Sequence, residues 1–383
     1  MMSSAPARLH TLESRAIVLV VLAPILGTLA VLYLGVLAIG LRLWLFLRWY
    51  RRQTGEDAYY GRPAAERASF ATELAERGRF AVRLAEGAAR VHRLRRPPGF
   101  QWRGVSGPPP CHKGFRLAAG YRPIVGDVFV VSQMKCGTTW MQQIVYEVLT
   151  CGRGDLGDDG HRALYALSPW IESSFSVPLQ RAPRIGEQKA RVIKTHLPVD
   201  LCPYGEHARY IYVTRHPVAC FASCVDFVTM LFGPLAPVRR DLLDWYCSDH
   251  MWWRPWPDHV DGWWRWAQER SNVLFLCYEE LLADLPAAVD RVAEFLETPL
   301  GADERRGVVE KSGFAYMKRH EERFEMSPPT PFSVLGEASF LHSAGRARDC
   351  DVSGAERERI LAFCRERLRG AVYPAARDYP DLG

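Results

Sequence analysis

The sequence lacks the residue spacings that form a metal site. Its ten cysteines include no CxxC pair, and no cysteine or histidine cluster has the spacing of zinc ligands. We therefore expect no bound metal ion. Cys220, Cys277 and Cys364 lie within apolar runs, where buried free thiols are common. This use of cysteine favours a reducing compartment.

The sequence also lacks a strong excess of either charge, internal repeats, and any low-complexity segment apart from the prolines at 108–110. Lys and Arg number 49 against 43 Asp and Glu, which gives a net charge of +6. So small an excess does not indicate nucleic acid, and we expect no nucleic-acid partner. It suits a small anionic ligand or an anionic membrane surface. With 48% apolar and 24% charged residues, the composition excludes a disordered, collagenous or coiled-coil chain.

A hydrophobic run near the N-terminus is long enough to cross a bilayer. Residues 16–41 carry no charge, and the apolar character continues to position 48, which predicts a single transmembrane anchor over 16–48. A signal peptide would have a shorter apolar core and a cleavage site of small residues. Here aromatic and basic residues follow instead, as at a membrane interface. A buried core helix is the alternative, but such helices are rarely this long and uncharged.

The charges that flank this run predict its orientation. Four arginines lie on the C-terminal flank, at 42, 48, 51 and 52, and two on the N-terminal flank, at 8 and 15. The positive-inside rule therefore places the rest of the chain in the cytoplasm, as the catalytic part of a single-pass membrane protein.

The remaining sequence divides into three further segments. We expect an N-terminal tail at 1–15, an amphipathic helix and proline-rich linker at 49–111, and a catalytic domain at 112–383. Residues 64–96 are rich in Ala, Arg and Glu, which favours a helix. Two interpretations of this helix stay open: it packs on the catalytic domain with a solvated outer face, or it lies on anionic lipid headgroups.

Short apolar runs that alternate with helical patterns predict an α/β domain. The runs lie at 128–132, 191–194, 209–214 and 273–277. Buried strands separated by helices form parallel sheets, and such sheets bind ligands beyond the carboxyl ends of their strands. Each polar motif described below follows one of these runs.

The first of these motifs, Gln133 to Trp140, has the character of a phosphate loop. A glycine turn leads into a helix that starts near Gly137, and the amides of a helix N-terminus attract anions. Lys135 adds a positive charge, and Thr138 and Thr139 add hydroxyl donors. The loop differs from a Walker A motif, because its lysine precedes its only glycine. None of the other strand ends carries an aspartate for magnesium, which suits a phosphate-bearing ligand bound without metal.

These motifs resemble those of the cytosolic-type sulfotransferases. KCGTTW at 135–140 is similar to the family's PKSGTTW, and KTHLP at 194–198 is similar to its second motif. The YVTR segment at 212–215, with Ser223 eight residues after the arginine, matches its 3′-phosphate motif. YEE at 278–280 is similar to its YED, and Ser312-Gly313-Phe314 with Met317 is similar to its TSF-x-x-M. The five motifs occur in the family's order over residues 115–350. The resemblance implies a P-loop-like parallel sheet flanked by helices.

The resemblance also implies a reaction. The family transfers a sulfuryl group from 3′-phosphoadenosine 5′-phosphosulfate (PAPS) to a hydroxyl or an amine. It implies that Lys135 stabilises the departing 5′-phosphate and that Lys194 helps to stabilise the transition state. His196 would be the general base, a role that suits a group with an ordinary pKa of about 6.5. No metal takes part.

The family's nucleotide contacts carry over to further positions. The residues implied to bind the 5′-phosphate or the adenine are Lys135, Cys136, Gly137, Thr138, Thr139, Trp140, Tyr278, Ser312 and Phe314. Arg215 and Ser223 would bind the 3′-phosphate. The chain departs from the family at Ala219, where an aspartate is usual, and at Ser343-Ala344, where a basic pair is usual. Three interpretations of this departure stay open: Arg346 and Arg348 replace that pair from shifted positions, nucleotide affinity is weaker, or the protein is inactive.

Tryptophans concentrate on one side of this domain. Seven of the twelve lie within 245–266. The proline in the segment WWRPW at 252–256 argues against a core helix, so we interpret it as a lid over an apolar acceptor or as a patch in the bilayer interface. Either interpretation predicts an apolar or lipid-like acceptor.

Two rival functions remain at this stage: a nucleotide kinase, and a membrane-bound adaptor that keeps the fold and nucleotide binding without catalysis.

Overall fold

The computed structural model describes residues 6–53, 59–156, 163–324, 328–334 and 351–383. The chain forms two compact units, Met1–Arg52 and Gln53–Gly383. Residues 59–111, which the sequence analysis treated as a separate helix and linker, therefore belong to the same unit as the expected catalytic residues. Arg346 and Arg348 lie outside the described residues.

The first unit is a single helix. Helix α1 runs over Pro6–Tyr50 and is longer than the predicted anchor at both ends. Within it, Ile25–Tyr50 has a mean hydropathy of 2.1, and none of that stretch is buried by the rest of the chain. The structure thus confirms an N-terminal apolar helix that is a candidate membrane span.

The second unit is built on a parallel four-stranded sheet. Its strands are β3 (Asp127–Val131), β4 (Arg191–Thr195), β5 (Arg209–Thr214) and β6 (Val273–Cys277). Their order is β4-β3-β5-β6, and all three pairings are parallel. The strands agree with the predicted runs to within one residue at either end. A small antiparallel hairpin of β1 (Phe100–Trp102) and β2 (Val105–Gly107) precedes the sheet and was not predicted.

Helices cover both faces of the sheet. Side chains of alternate residues enter opposite apolar cores: Phe129 and Val131 lie in one, Val128 and Val130 in the other. The helices of this unit are α2 (Ala64–Val91), α3 (His112–Gly120), α4 (Thr138–Leu149), α5 (Leu164–Leu167), α6 (Pro217–Phe232), α7 (Arg239–Tyr246), α8 (Trp256–Glu269), α9 (Tyr278–Ala283), α10 (Leu285–Phe295), α11 (Ala302–Ser312), α12 (Phe314–Arg319), α13 (Pro331–Val334), α14 (Gly354–Arg367) and α15 (Ala375–Asp378). The sheet and its flanking helices confirm the predicted fold class.

The order of the strands indicates where a ligand-binding site should lie. Chain order runs from central strand β3 to edge strand β4 and then back across β3 to β5. The crevice beyond the carboxyl ends of strands at such a reversal is where open α/β sheets bind ligands. The ends of β3, β4 and β5 meet there and carry Lys135, His196 and Arg215.

Helix α2 packs on this unit. Its apolar face is buried at Phe70 and Leu74, whereas Arg79, Arg83 and Arg90 are exposed. The structure therefore favours the packed interpretation of the helix, which ends at Val91 rather than 96.

The expectation of a tryptophan patch in the bilayer interface is wrong. Trp252, Trp253 and Trp256 are each at most 2% exposed and belong to the core on one face of the sheet. Trp256 begins helix α8 immediately after Pro255, where a proline is compatible with a helix start. The indoles are therefore not available to contact lipid.

Candidate functional site

The loop after β3 has the backbone of an anion site. Gly137 adopts φ +99° and is the N-cap of α4, so the chain turns sharply before the helix begins. A Cβ at Gly137 would lie 2.5 Å from Cδ2 of Tyr278, which leaves no room for a larger residue. Lys135 also has a positive φ, +67°. The turn directs the first amides of the helix, including those of Thr138 and Thr139, toward the space that an anion would occupy.

His196 is held in one tautomer just beyond β4. The side chain is 3% exposed, and its Nδ1 donates to the carbonyl oxygen of Ser132 at 2.8 Å. Because a carbonyl only accepts, the proton is on Nδ1 and the lone pair is on Nε2. Burial and then the neighbouring Lys194 charge hold the pKa of His196 well below its usual value. The imidazole is therefore neutral at physiological pH and able to accept a proton.

A second histidine supports the first. Nε2 of His259 donates to the backbone oxygen of His196 at 3.0 Å, and its Nδ1 lies 2.9 Å from the hydroxyl of Tyr212. A donating Nε2 leaves Nδ1 as an acceptor, so the Tyr212 hydroxyl donates to it. These two hydrogen bonds, from Tyr212 to His259 and from His259 to His196, fix the backbone of His196.

Lys194 is fully buried within an aromatic box. Its Nζ lies 3.9 Å from the ring centre of Trp170 and 4.8 Å from that of Tyr165. It also donates to the Tyr165 hydroxyl at 3.3 Å, and that hydroxyl lies 2.9 Å from Oγ1 of Thr139 in the loop. Burial lowers the pKa of Lys194 to about 7. A negative ligand at the loop would favour the protonated form.

Arg215 is a half-buried cation at the end of β5; the charge of Glu279 acts on it, but no acidic side chain of the described segments forms an ion pair with it. Its guanidinium donates to the carbonyl oxygen of Lys135 at 3.4 Å and lies 4.5 Å from the ring centre of Tyr278. Nε1 of Trp256 donates to its backbone oxygen at 3.0 Å. A half-buried guanidinium without a carboxylate partner suits an anionic ligand.

The predicted adenine contacts lie together. The Trp140 and Tyr278 rings are 5.3 Å apart edge to face, and Nε1 of Trp140 donates to the Ser312 carbonyl at 2.7 Å. Oγ of Ser312 is buried, and no other described group satisfies it. Phe314 begins α12 and is 37% exposed, whereas Ser223 is half-buried on α6. These groups fit a nucleotide: a phosphate cradle, aromatic rings and an unsatisfied hydroxyl converge there.

Cys136 differs from its neighbours in the loop. The side chain is fully buried, and Sγ lies 3.3 Å from Sγ of Cys220. Burial raises the pKa of its thiol. Only the backbone of Cys136 can therefore face a ligand.

The sequence patterns missed several residues around the site. Trp170 and Trp253 place their rings 5.3 and 4.9 Å from the imidazole of His196. Trp253 and Arg254 are consecutive residues with positive φ, +59° and +78°, a strained turn that holds the indole over the histidine. Glu172 and Tyr165 also lie at the site. No local motif marks Trp170, Glu172 or Tyr165, because tertiary packing brings them there, whereas Trp253 belongs to the WWRPW segment that the sequence singled out.

Known proteins share the sequence pattern of this domain. The model of the Sulfotransferase domain family matches residues 126–333. Sulfotransferase 2B1 of Mus musculus is 34% identical over 260 residues, 64% of this chain and 72% of that protein. The 3-alpha-hydroxysteroid sulfotransferase of Cavia porcellus is 30% identical over 199 residues, 51% of this chain and 67% of that protein.

A solved structure shares the fold. The crystal structure of retinol dehydratase in complex with androsterone and the inactive cofactor PAP superposes with a TM-score of 0.57 and 18% identity. The match covers 76% of this chain and 96% of that one.

Proposed function

Since the chain belongs to the sulfotransferase family and is a PAPS-dependent sulfotransferase, we propose that it sulfates a hydroxyl group of an apolar, steroid-like acceptor with His196 as general base. The single observation that carries this proposal is the fixed tautomer of His196, whose Nδ1 donates to the Ser132 carbonyl at 2.8 Å. That bond leaves Nε2 as a proton acceptor. His196 lies at the ends of β3 and β4, where Lys135 and Lys194 supply positive charge.

In the proposed reaction, His196 Nε2 takes the proton of the acceptor hydroxyl as the acceptor oxygen bonds to sulfur. The bond between sulfur and the bridging oxygen of the 5′-phosphate breaks, and its electron pair stays with that phosphate. The low pKa of His196 keeps the imidazole neutral and ready before the acceptor binds. After transfer the imidazolium returns its proton to solvent.

Lys135 and Lys194 would stabilise the negative charge that develops in this step. Lys135 lies in the loop itself, and Lys194 reaches the loop through Tyr165 and Thr139. Fixed cations in a dry site stabilise such charge more strongly than solvent does. The proposal assigns this role to the two lysines and includes no metal ion.

The nucleotide would lie across the ends of β3 and β5. Arg215 and Ser223 would bind the 3′-phosphate, and the backbone of 135–139 the 5′-phosphate. Trp140, Tyr278, Ser312 and Phe314 would surround the adenine. PAP is present in the retinol dehydratase structure named above, which supports this class of ligand. Arg346 and Arg348 remain proposed contacts from outside the described residues.

The acceptor side supports an apolar substrate. The rings of Trp170 and Trp253 flank His196, so an acceptor hydroxyl reaches Nε2 past aromatic surfaces. One relative is named as a 3-alpha-hydroxysteroid sulfotransferase, and the fold neighbour was solved with androsterone. We therefore place flat hydroxysteroids first among candidate acceptors.

We further propose that the chain is anchored in a membrane by the Ile25–Tyr50 segment, with the catalytic unit in the cytoplasm. The mean hydropathy of 2.1 and the unburied surface of this segment support the anchor. The arginines at 42 and 48 in the C-terminal part of this segment and those at 51 and 52 just after it support the orientation. Protease digestion of the catalytic unit in intact cells, before permeabilisation, would contradict the orientation.

The test is sulfuryl transfer from radiolabelled PAPS by the full chain in detergent, with EDTA present. The acceptors are a 3-hydroxysteroid, a long-chain alcohol and a simple phenol, each also tested with the His196→Asn variant. We expect sulfation of the steroid that the variant loses. Activity on the phenol alone would contradict the acceptor class. Nucleotide binding without transfer to any acceptor, unchanged by the variant, would favour the adaptor.

A further inference from the structure

One segment, Pro169 to Glu172, contacts both proposed catalytic residues of β4. The backbone of Lys194 donates to the Pro169 oxygen at 2.8 Å and accepts from the amide of Ile171 at 3.0 Å. Trp170 is thereby paired in parallel with Lys194 at the outer edge of the sheet. The segment acts as a one-residue extension of the sheet at the position of the buried lysine.

Glu172 extends this contact to His196. Its Oε1 accepts from the backbone amide of His196 at 2.6 Å, and the side chain is fully buried. Burial raises the pKa of Glu172, and hydrogen bonds such as this one oppose that rise because they favour the ionised form. A buried carboxylate requires a compensating cation nearby.

The cation that this segment contacts is the buried ammonium of Lys194, whose Nζ lies 3.9 Å from the ring centre of Trp170. The charge of Glu172 is the largest influence that opposes burial on the pKa of Lys194, and it acts to raise that pKa. The other groups that face Lys194 are Lys135 of the loop, which lowers the pKa, and Cys111, which raises it. The Tyr165 hydroxyl accepts a hydrogen bond from Nζ, and His196 follows two residues along the chain, just beyond β4.

The place of Glu172 in the fold is closely fixed. Helix α3 packs against it so tightly that a Cβ at Gly114 would lie 1.9 Å from the Glu172 backbone oxygen. The amide of Trp170 donates to Oγ of Ser176 at 2.7 Å, which closes the following turn. The carboxyl group therefore cannot move away from β4 without disrupting this packing.

We propose that Glu172 is a positioning residue of the sulfuryl-transfer site: its carboxylate holds the backbone of His196 and balances the charge of the buried Lys194. This proposal rests on the proposed function, because it assigns Glu172 to the same pair of residues. The proposal gives Glu172 two separate tasks. The charge of Glu172 balances that of Lys194, and its hydrogen bond sets the position of His196.

Substitutions at Glu172 separate the two tasks. Glu172→Gln keeps an oxygen that accepts from His196 but removes the charge. Glu172→Asp keeps the charge and shortens the side chain, so it weakens the bond to His196. A residue that served packing alone would lower stability in both variants without moving any pH profile.

The first measurement does not depend on the acceptor. Calorimetric titration of the full chain with adenosine 3′,5′-bisphosphate, from pH 5.5 to 8.5 in buffers of different ionisation enthalpy, gives both affinity and proton uptake. Because Lys135 and Lys194 influence each other, a phosphate at the loop adds negative charge near Lys194 and drives its protonation. We expect the affinity of the native protein for the bisphosphate to fall above pH 7. The fall should begin at a lower pH in Glu172→Gln and at the native pH in Glu172→Asp.

The second measurement is the rate of sulfuryl transfer to the acceptor that the panel identifies. We expect kcat to fall at least 10-fold in Glu172→Asp, with the KM for PAPS within 3-fold of native. An unchanged pH profile in Glu172→Gln overturns the charge role, and an unchanged kcat in Glu172→Asp overturns the role at His196. If native protein does not bind the bisphosphate at any pH, the proposed function itself fails, which is a different result from either.

Discussion

Nδ1 of His196 donates to the carbonyl oxygen of Ser132 across the gap between the ends of β4 and β3. This one bond ties the proposed base to the first residue after β3, where the phosphate loop starts. Any ligand that orders the loop therefore also orders the base.

The role of His196 leads to the first prediction. Asparagine keeps a side-chain donor for Ser132 but removes the basic Nε2, so His196→Asn should lower kcat about 10²- to 10⁴-fold. Affinity for adenosine 3′,5′-bisphosphate, measured by calorimetry, should stay within 3-fold of native. His207→Asn, at an exposed histidine, is the control and should leave both unchanged. Loss of nucleotide affinity in His196→Asn would show that the histidine is structural.

The buried ammonium of Lys194 predicts a dependence on pH. Because its pKa is lowered to about 7, the charged form is present below that pH and lost above it. The value of kcat/KM for PAPS should therefore decline above pH 7, since this ratio reports groups of the free enzyme. In Lys194→Met the decline should vanish and the remaining rate should be lower throughout. Lys113→Met, at an exposed lysine, should keep the native profile.

The guanidinium of Arg215, which forms no ion pair within the described residues, predicts a loss of nucleotide affinity when it is removed. Removing it should weaken binding of adenosine 3′,5′-bisphosphate about 10- to 100-fold, as expected for hydrogen bonds to a charged group. The matched control is Arg209→Ala, which removes an arginine from the opposite end of the same strand, where it pairs with Glu297. Equal effects of the two substitutions would refute a 3′-phosphate contact.

The close approach of Gly137 to Tyr278 predicts an effect of a single methyl group. Gly137→Ala would combine the strain of φ +99° with a contact of 2.5 Å to a ring that flanks the site. We expect a loss of about 1–3 kcal/mol in the free energy of unfolding, measured in urea, together with weaker nucleotide binding. Gly120→Ala places its methyl in open space and should change neither.

The burial of the tryptophan segment predicts a role in stability. Trp256→Ala should destabilise the second unit by about 3–5 kcal/mol, because it empties a core position that is 1% exposed. Trp102→Ala, at a half-buried position on the hairpin, should have a smaller effect. A change below 1 kcal/mol in Trp256→Ala would mean that this indole is not in the core.

The sequence predicted the sheet well for a physical reason. Its strands are short runs of buried apolar residues, and in a parallel sheet covered on both faces such runs are continuous. The loop, His196 and Arg215 were predicted because each follows one of these runs directly. The residues brought together at the carboxyl edge of the sheet were therefore predictable from the sequence.

The parts that were missed depend on contacts distant in sequence. Glu172 reaches His196 only because the 169–172 segment pairs with β4, and no local pattern marks that pairing. The bilayer interpretation of Trp252 and Trp256 was wrong because tryptophan suits a membrane interface and a protein core equally well. Amino-acid composition alone therefore does not distinguish a tryptophan at a membrane interface from one in a protein core.

The most direct test of the central claim is thermal unfolding of the full chain with adenosine 3′,5′-bisphosphate, and in parallel with ATP and magnesium. A ligand at 100 times its dissociation constant stabilises the folded state by about 2.7 kcal/mol, which is a readily measured shift in Tm. We predict a rise in Tm with the bisphosphate alone, without added metal, that Arg215→Ala reduces. A rise only with ATP and magnesium, or no rise with either nucleotide, would contradict the assignment of this site to PAPS.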